Sequence, residues 1–130
     1  MQMINSMYYS CLVNLYPFSI NFTENSIYTA SNMIVYLYID TNLMASPSFD
    51  IRELGKLREM LWHVQQMARI GNWITTRKRE LKEGDFTSGV FAYALSNNIL
   101  KHDELGRLDD HEIIKRIEDS DIIKQLLFIV

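Results

Sequence analysis

A chain of 130 residues, 48% of them hydrophobic, has the size of one domain and the apolar content for an ordinary core. Its net charge of −3 offers no basic surface for nucleic acid, and its longest apolar run, Met33 to Ile39, is far too short to span a bilayer. The single cysteine, Cys11, excludes an intrachain disulfide and a zinc cluster, and fits a reducing, cytoplasmic setting.

Residues 1–30 are rich in Asn, Ser, Tyr and Met, show no clear period and receive no assignment. No Lys or Arg precedes Arg52, so the charged leader of a signal peptide is missing. The triplet Asn21-Phe22-Thr23 fits a glycosylation pattern, but no export signal supports it. From Ser31 to Met44 the string SNMIVYLYIDTNLM is long enough for a buried helix, although its β-branched and aromatic residues also suit a strand. ASPSFD then breaks the chain. Pro47 biases Ser46 away from helix, and Ser48 or Asp50 can cap the next element.

That element is the clearest in the chain and runs from Ile51 to about Glu83. Leu54, Leu57, Leu61, Val64, Met67 or Ala68, and Gly71 recur at three and four, which predicts one apolar helical stripe, and Gly84 is a natural stop. A further helix is expected from Phe86 or Thr87 to about Leu95, ended by SNN. In the tail Asp109 or Asp110 can cap, and Ile113, Ile114, Ile117, Ile122, Ile123, Leu126 and Leu127 show helical spacing. The fold class read from these elements is all-α.

The long helix carries the chemistry. Asn72, Thr76 and Glu80 stand four apart. A helix turns about 100° per residue, so their side chains form one ridge, each a turn above the last. All three offer oxygen, as an amide carbonyl, a hydroxyl and a carboxylate. Mg²⁺ takes hard oxygens and leaves part of its shell to water or substrate phosphate. Arg69 lies one turn before Asn72, and Arg79 directly precedes Glu80; guanidinium groups suit bidentate contact with phosphate. The alternative is a solvated face, with Arg77, Lys78 and Arg79 pairing with Glu80 and Glu83. His63, His102 and His111 are isolated, Cys11 has no context for a nucleophile, and no catalytic residue is assigned. The seven methionines read as core filling.

The wider string, RIGNWITTRKRELKEGD, resembles the second metal-binding motif of class I terpene synthases. Asn72, Ile74, Thr76 and Glu80 match that motif in order, with Arg69-Ile70 before it, Glu83 to Asp85 after it, and Arg79 in the place of a diphosphate contact. Trp73 departs from the family's frequent Asp. SNMIVYLYIDTNLM resembles the helix that lines the family's active-site cavity, and the likeness covers roughly Ser31 to Leu100. It implies a terpenoid synthase-like helical bundle around an apolar pocket, in residues 31–130. It also implies Mg²⁺ held by Asn72, Thr76 and Glu80, and a prenyl diphosphate held by Arg79 and Arg69. Tyr36, Tyr38, Trp62 or Trp73 would face a cyclising carbocation, or else simply pack in the core. The family's aspartate-rich first metal site, its upstream sensor Arg and its Arg-Tyr pair have no counterpart here. Asp109-Asp110 comes after the second motif and reads as a helix cap. The resemblance is therefore to an incomplete domain, expected to be inactive alone. Self-association through exposed apolar helices is expected too, and a non-catalytic helical interaction fragment is the alternative function.

Overall fold

The computed structural model describes residues 2–129. Every regular element among them is helical, in keeping with the all-α expectation. The elements are α1 (Gln2–Leu15), α2 (Phe22–Thr29), α3 (Val35–Met44), α4 (Leu54–Lys82), α5 (Gly89–Ser96), α6 (Asp110–Asp119) and α7 (Ile122–Leu127). Short 3-10 turns lead out of α1 and α2 and into α4.

The unassigned first thirty residues form α1 and α2. On α1 the buried positions are Ser6, Tyr9 and Val13, spaced three and four, which is a helical stripe. It escapes hydropathy because Ser6 lies inside while Met3, Ile4, Met7, Tyr8 and Leu15 lie outside. The same inversion holds on α2, whose buried residues are Asn25 and Thr29. Both are satisfied: Asn25 Nδ2 donates to Thr87 O at 3.0 Å, and Thr29 Oγ1 donates to Asn25 O at 2.7 Å. Asn21 caps α2 by accepting from Glu24 N at 2.9 Å, while its own amide donates to Glu24 Oε2 at 2.7 Å.

The string from Ser31 to Met44 is helical, as a 3-10 turn (Ala30–Met33) leading into α3, but it is not buried. No α3 residue is buried, and Leu37, Tyr38 and Met44 are 60%, 70% and 90% exposed. Between turn and helix, Ile34 takes φ 58°, a left-handed conformation that crowds a β-branched residue. α3 docks by polar contacts instead. Tyr36 Oη donates to Arg58 O at 2.8 Å, and the Arg58 guanidinium stacks 4.8 Å from the Tyr36 ring centre.

Asp50 caps as expected, accepting from Arg52 N at 3.0 Å in the 3-10 turn (Ile51–Glu53) that feeds α4. α4 has 29 residues, so it is about 44 Å long. The expected apolar stripe is corrected. Nothing from Leu54 to Met60 is buried, and Val64, Met67 and Gly71 are exposed. The buried face is Leu61, Gln65, Arg69, Ile70, Trp73, Glu80 and Leu81. It lies about one residue, or 100°, round from the expected one, and two of its polar members find a partner there: Arg69 in Asn72 and Glu80 in Thr76, a gain hydropathy does not count. Gly84, at φ 69°, ends the helix as expected, and Asp85 N closes the turn on Glu80 O at 2.8 Å.

α5 starts slightly later than expected and is the centre of the molecule: Gly89 to Ala92, Ala94 and Leu95 are all buried. It packs against α2, α4 and α7. The tail, expected to show helical spacing, forms two helices. Asp109 caps α6, accepting from His111 N at 3.2 Å. Ile113 and Ile117 of α6 are buried, as are Ile122 and Leu126 of α7. The five-residue step from Ile117 to Ile122 cannot keep one helical face inward, and the chain breaks at Ser120, which is extended. α6 is tied to α4 by Glu118, whose Oε1 takes Lys78 Nζ at 2.7 Å and Arg77 Nη2 at 3.0 Å. Hydrogen bonding from Lys78 first, and from Arg77 after it, holds the Glu118 carboxyl below the usual range.

Candidate metal centre

Asn72, Thr76 and Glu80 share the C-terminal half of α4 and face inward: Glu80 is 6% exposed and the other two are half-buried. The helix sets this direction. Trp73, one residue from Asn72, is buried against Gly89 of α5, where the absent side chain leaves room for the indole. The solvated-face alternative therefore holds only for the neighbouring residues. Lys78 and Arg79 are exposed, and Arg79 Nε lies 3.8 Å from Glu83 Oε1. The Arg79 guanidinium stands outside the buried face.

Two of the three ridge oxygens, those of Thr76 and Glu80, engage each other. Thr76 Oγ1 lies 2.7 Å from both Glu80 Oε1 and the backbone carbonyl oxygen of Asn72. Its one proton serves either of them at a time. Asn72 Oδ1 accepts from Arg69 Nη1 at 2.8 Å. Glu80 Oε2 is buried and has no hydrogen-bond partner, and the same holds for Gln65 Nε2, Arg69 Nε, Trp73 Nε1 and Arg77 Nε. Unpaired buried polar atoms are scarce in folded proteins, and here five stand on successive turns of one helix.

Arg69 is 8% exposed, with its guanidinium 5.7 Å from the centre of the Trp73 ring. Burial lowers its affinity for the proton below the usual arginine range, and the charges of Glu80 and then Asp85 partly restore it. Asp85 is held in turn by Asn14 Nδ2 at 3.1 Å and by Thr87 N at 3.0 Å.

Two spaces border α4 beside Gln65, Arg69 and Trp73, and Asn72, Thr76 and Glu80 line neither. A cleft of about 40 Å³ beside Arg69 and Trp73 is also lined by Phe22, Ala30 and Ile129, and has the volume of about one water molecule. A larger groove of about 350 Å³ lies between α1, α3 and α4, bordered by Met3, Ile34, Tyr36, Leu37, Arg58 and Gln65. Of the four aromatic residues singled out from the sequence, Tyr36 lines this groove, Trp73 lies in the core, Tyr38 points outward and Trp62 is half-buried.

Sequence reasoning missed Gln65. It stands four residues before Arg69 and continues the polar line, a spacing that could have been traced upstream. His63 and Cys11 are exposed, and His102 Nε2 lies 3.0 Å from Ile20 O. No group of three or more His, Cys, Asp or Glu side chains that could hold a metal occurs among the described residues. No helix among them is long and apolar enough to cross a membrane. Comparison with models of protein families, with curated proteins and with solved structures finds no match to this chain.

Proposed function

We propose that the chain is a class I terpene synthase-like protein with the helical bundle of that family. On this reading it binds Mg²⁺ and a prenyl diphosphate on the α4 ridge. The observation that carries the proposal is the buried, unpartnered Oε2 of Glu80, whose other oxygen accepts from Thr76 Oγ1 at 2.7 Å. A carboxylate oxygen without a donor in a buried site is costly, and a hard cation offsets that cost. The donor set fits Mg²⁺ in kind: one carboxylate and two neutral oxygens, leaving room for water and phosphate.

Each residue has a stated part. Asn72, Thr76 and Glu80 hold the ion, and Thr76 also orients the Glu80 carboxylate by hydrogen bonding. Arg69, with a free Nε–H, takes a phosphate oxygen. Arg79 reaches the diphosphate only by leaving Glu83. The bound ion supplies positive charge that stabilises the departing diphosphate. The prenyl chain lies along α4 toward Gln65, in the groove beside α3. Seven residues separate Asn72 from Gln65, about 10 Å of helix rise, which suits an isoprenoid tail.

The chain carries one ridge and no aspartate-rich partner for it. One ridge cannot offset the charge that develops on a leaving diphosphate. No product from farnesyl or geranylgeranyl diphosphate with Mg²⁺ is therefore expected by gas chromatography. Calorimetry should nevertheless detect binding of inorganic pyrophosphate that requires Mg²⁺ and is weakened at least about tenfold in Glu80→Gln. Product lost in Glu80→Ala would overturn the expected inactivity. Pyrophosphate binding indifferent to Mg²⁺ and to Glu80 would overturn the metal reading.

A second reading, a non-catalytic helical fragment that self-associates, has its own observation. Met3 and Met7 of α1, Leu37 and Tyr38 of α3, Met60 and Met67 of α4, and Phe128 beyond α7 are all exposed. Apolar surface of this extent seeks a partner. Light scattering after size exclusion should give a mass above the 15.3 kDa of one chain. A sharp monomer that melts cooperatively and leaves a hydrophobic dye unbound would remove this reading.

A further inference from the structure

We infer that Arg69 latches the ridge shut, competing with a divalent cation for Asn72 until a phosphate draws the guanidinium away. The inference rests on the metal reading above and adds an order of events to it. Arg69 Nη1 holds Asn72 Oδ1 at 2.8 Å, so one of the three ligand oxygens is already engaged by a cation. The guanidinium is almost fully buried and feels the negative charge of Glu80. A divalent ion entering this site alone must break the Arg69–Asn72 bond and then sit beside a buried positive charge. Both effects oppose it.

The latch has a built-in release. Arg69 Nε has no partner, so the guanidinium keeps an unused donor for an anion. When a phosphate takes the guanidinium, Asn72 Oδ1 is freed and the local charge falls. Metal and phosphate then favour each other's binding, as two ligands must when each removes an obstacle to the other. Metal alone binds poorly, and the site charges only when substrate is present. A lysine would not serve as well, since it lacks the planar fork that spans two acceptors.

The test uses the full chain and Mn²⁺, observed by electron paramagnetic resonance. The unsubstituted chain should bind Mn²⁺ at least about tenfold more weakly than Arg69→Gln, and Arg69→Gln/Glu80→Gln should lose the gain. Tight binding by the unsubstituted chain, equal to that of Arg69→Gln and lost in Glu80→Gln, overturns the latch and leaves the metal reading standing. No Mn²⁺ binding in any variant overturns both. A measurement on the unsubstituted chain guards against a misfolded variant. The Arg69 Nε–Hε resonance should be slow to exchange with water, and should speed up when Mg²⁺ and inorganic phosphate are added together but not when Mg²⁺ is added alone. A resonance indifferent to the pair overturns the latch.

Discussion

Gly89→Val is expected to unfold the chain at ambient temperature. Gly89 opens α5, the most buried helix in the molecule, and Trp73 of α4 lies directly over it. A Cβ at this position would stand 2.6 Å from Cδ2 of the indole and closer still to Cε3 and Cζ3. The contact is with a ring only 2% exposed, locked between helices, not with the end of a flexible chain. Alanine for glycine inside a helix ordinarily gains up to about 1 kcal/mol. Here the overlap reverses the sign, because overpacking a close-packed site costs roughly 1–3 kcal/mol even for one or two carbons. Valine adds two more carbons and a β-branch, and total stability is only about 5–15 kcal/mol. Urea unfolding monitored by circular dichroism should show Gly89→Ala shifted to lower urea and Gly89→Val without a folded baseline. A Gly89→Ala variant as stable as the parent would mean that Trp73 does not pack where the structure has it. Trp73→Phe combined with Gly89→Ala should recover part of the loss, since the smaller ring makes room.

How much of this was legible beforehand depends on which faces are apolar. α4, its stop at Gly84 and its Asp50 cap could be read because cap chemistry and length are local properties. The ridge of Asn72, Thr76 and Glu80 could be read as a ridge, since spacing alone fixes that. Its inward direction could not. The apolar residues Leu54, Leu57, Val64 and Met67 suggested a different face, and they remain largely outside. Arg69 and Glu80 lie inside, a cost hydropathy assigns without seeing that Asn72 and Thr76 are there to receive them, and Gln65 lies inside beside them. α1 and α2 were illegible for the same reason: Ser6, Asn25 and Thr29 are buried while Met3 and Met7 are exposed. The polar interior of this chain is specified by pairs of residues distant in sequence, such as Ser6 with Asn32, at 2.6 Å, and Asn25 with Thr87. The break between α6 and α7 was available in the five-residue step, had the spacing been counted through Ser120.

Glu80→Ala is expected to cost about 2–4 kcal/mol of folding free energy, far more than a surface carboxylate, whose loss is within about 0.5 kcal/mol. Three losses add. Thr76 Oγ1 loses its acceptor at 2.7 Å. A void opens in a region where neighbours are buried on α4 itself. Arg69, buried and cationic, loses the charge that most restores its hold on the proton. Removing one partner of a buried charged set is costly because the other stays behind uncompensated. Glu80→Gln should separate these contributions. It keeps the volume and an acceptor for Thr76, so its cost should be about 1–2 kcal/mol, almost all of it the missing charge. Arg69→Met/Glu80→Leu removes both charges and should come close to the parent, well short of the sum of the two single losses. Urea denaturation of the parent, Arg69→Met, Glu80→Leu and the double variant gives the coupling directly. Single losses that simply add would mean that Arg69 and Glu80 do not sense each other, which would undercut the latch as well as the stability argument. A double variant near parental stability that binds no Mn²⁺ would separate the two roles of Glu80. The carboxylate would then be dispensable for folding once its counter-charge is gone, and required only where a cation is to be held.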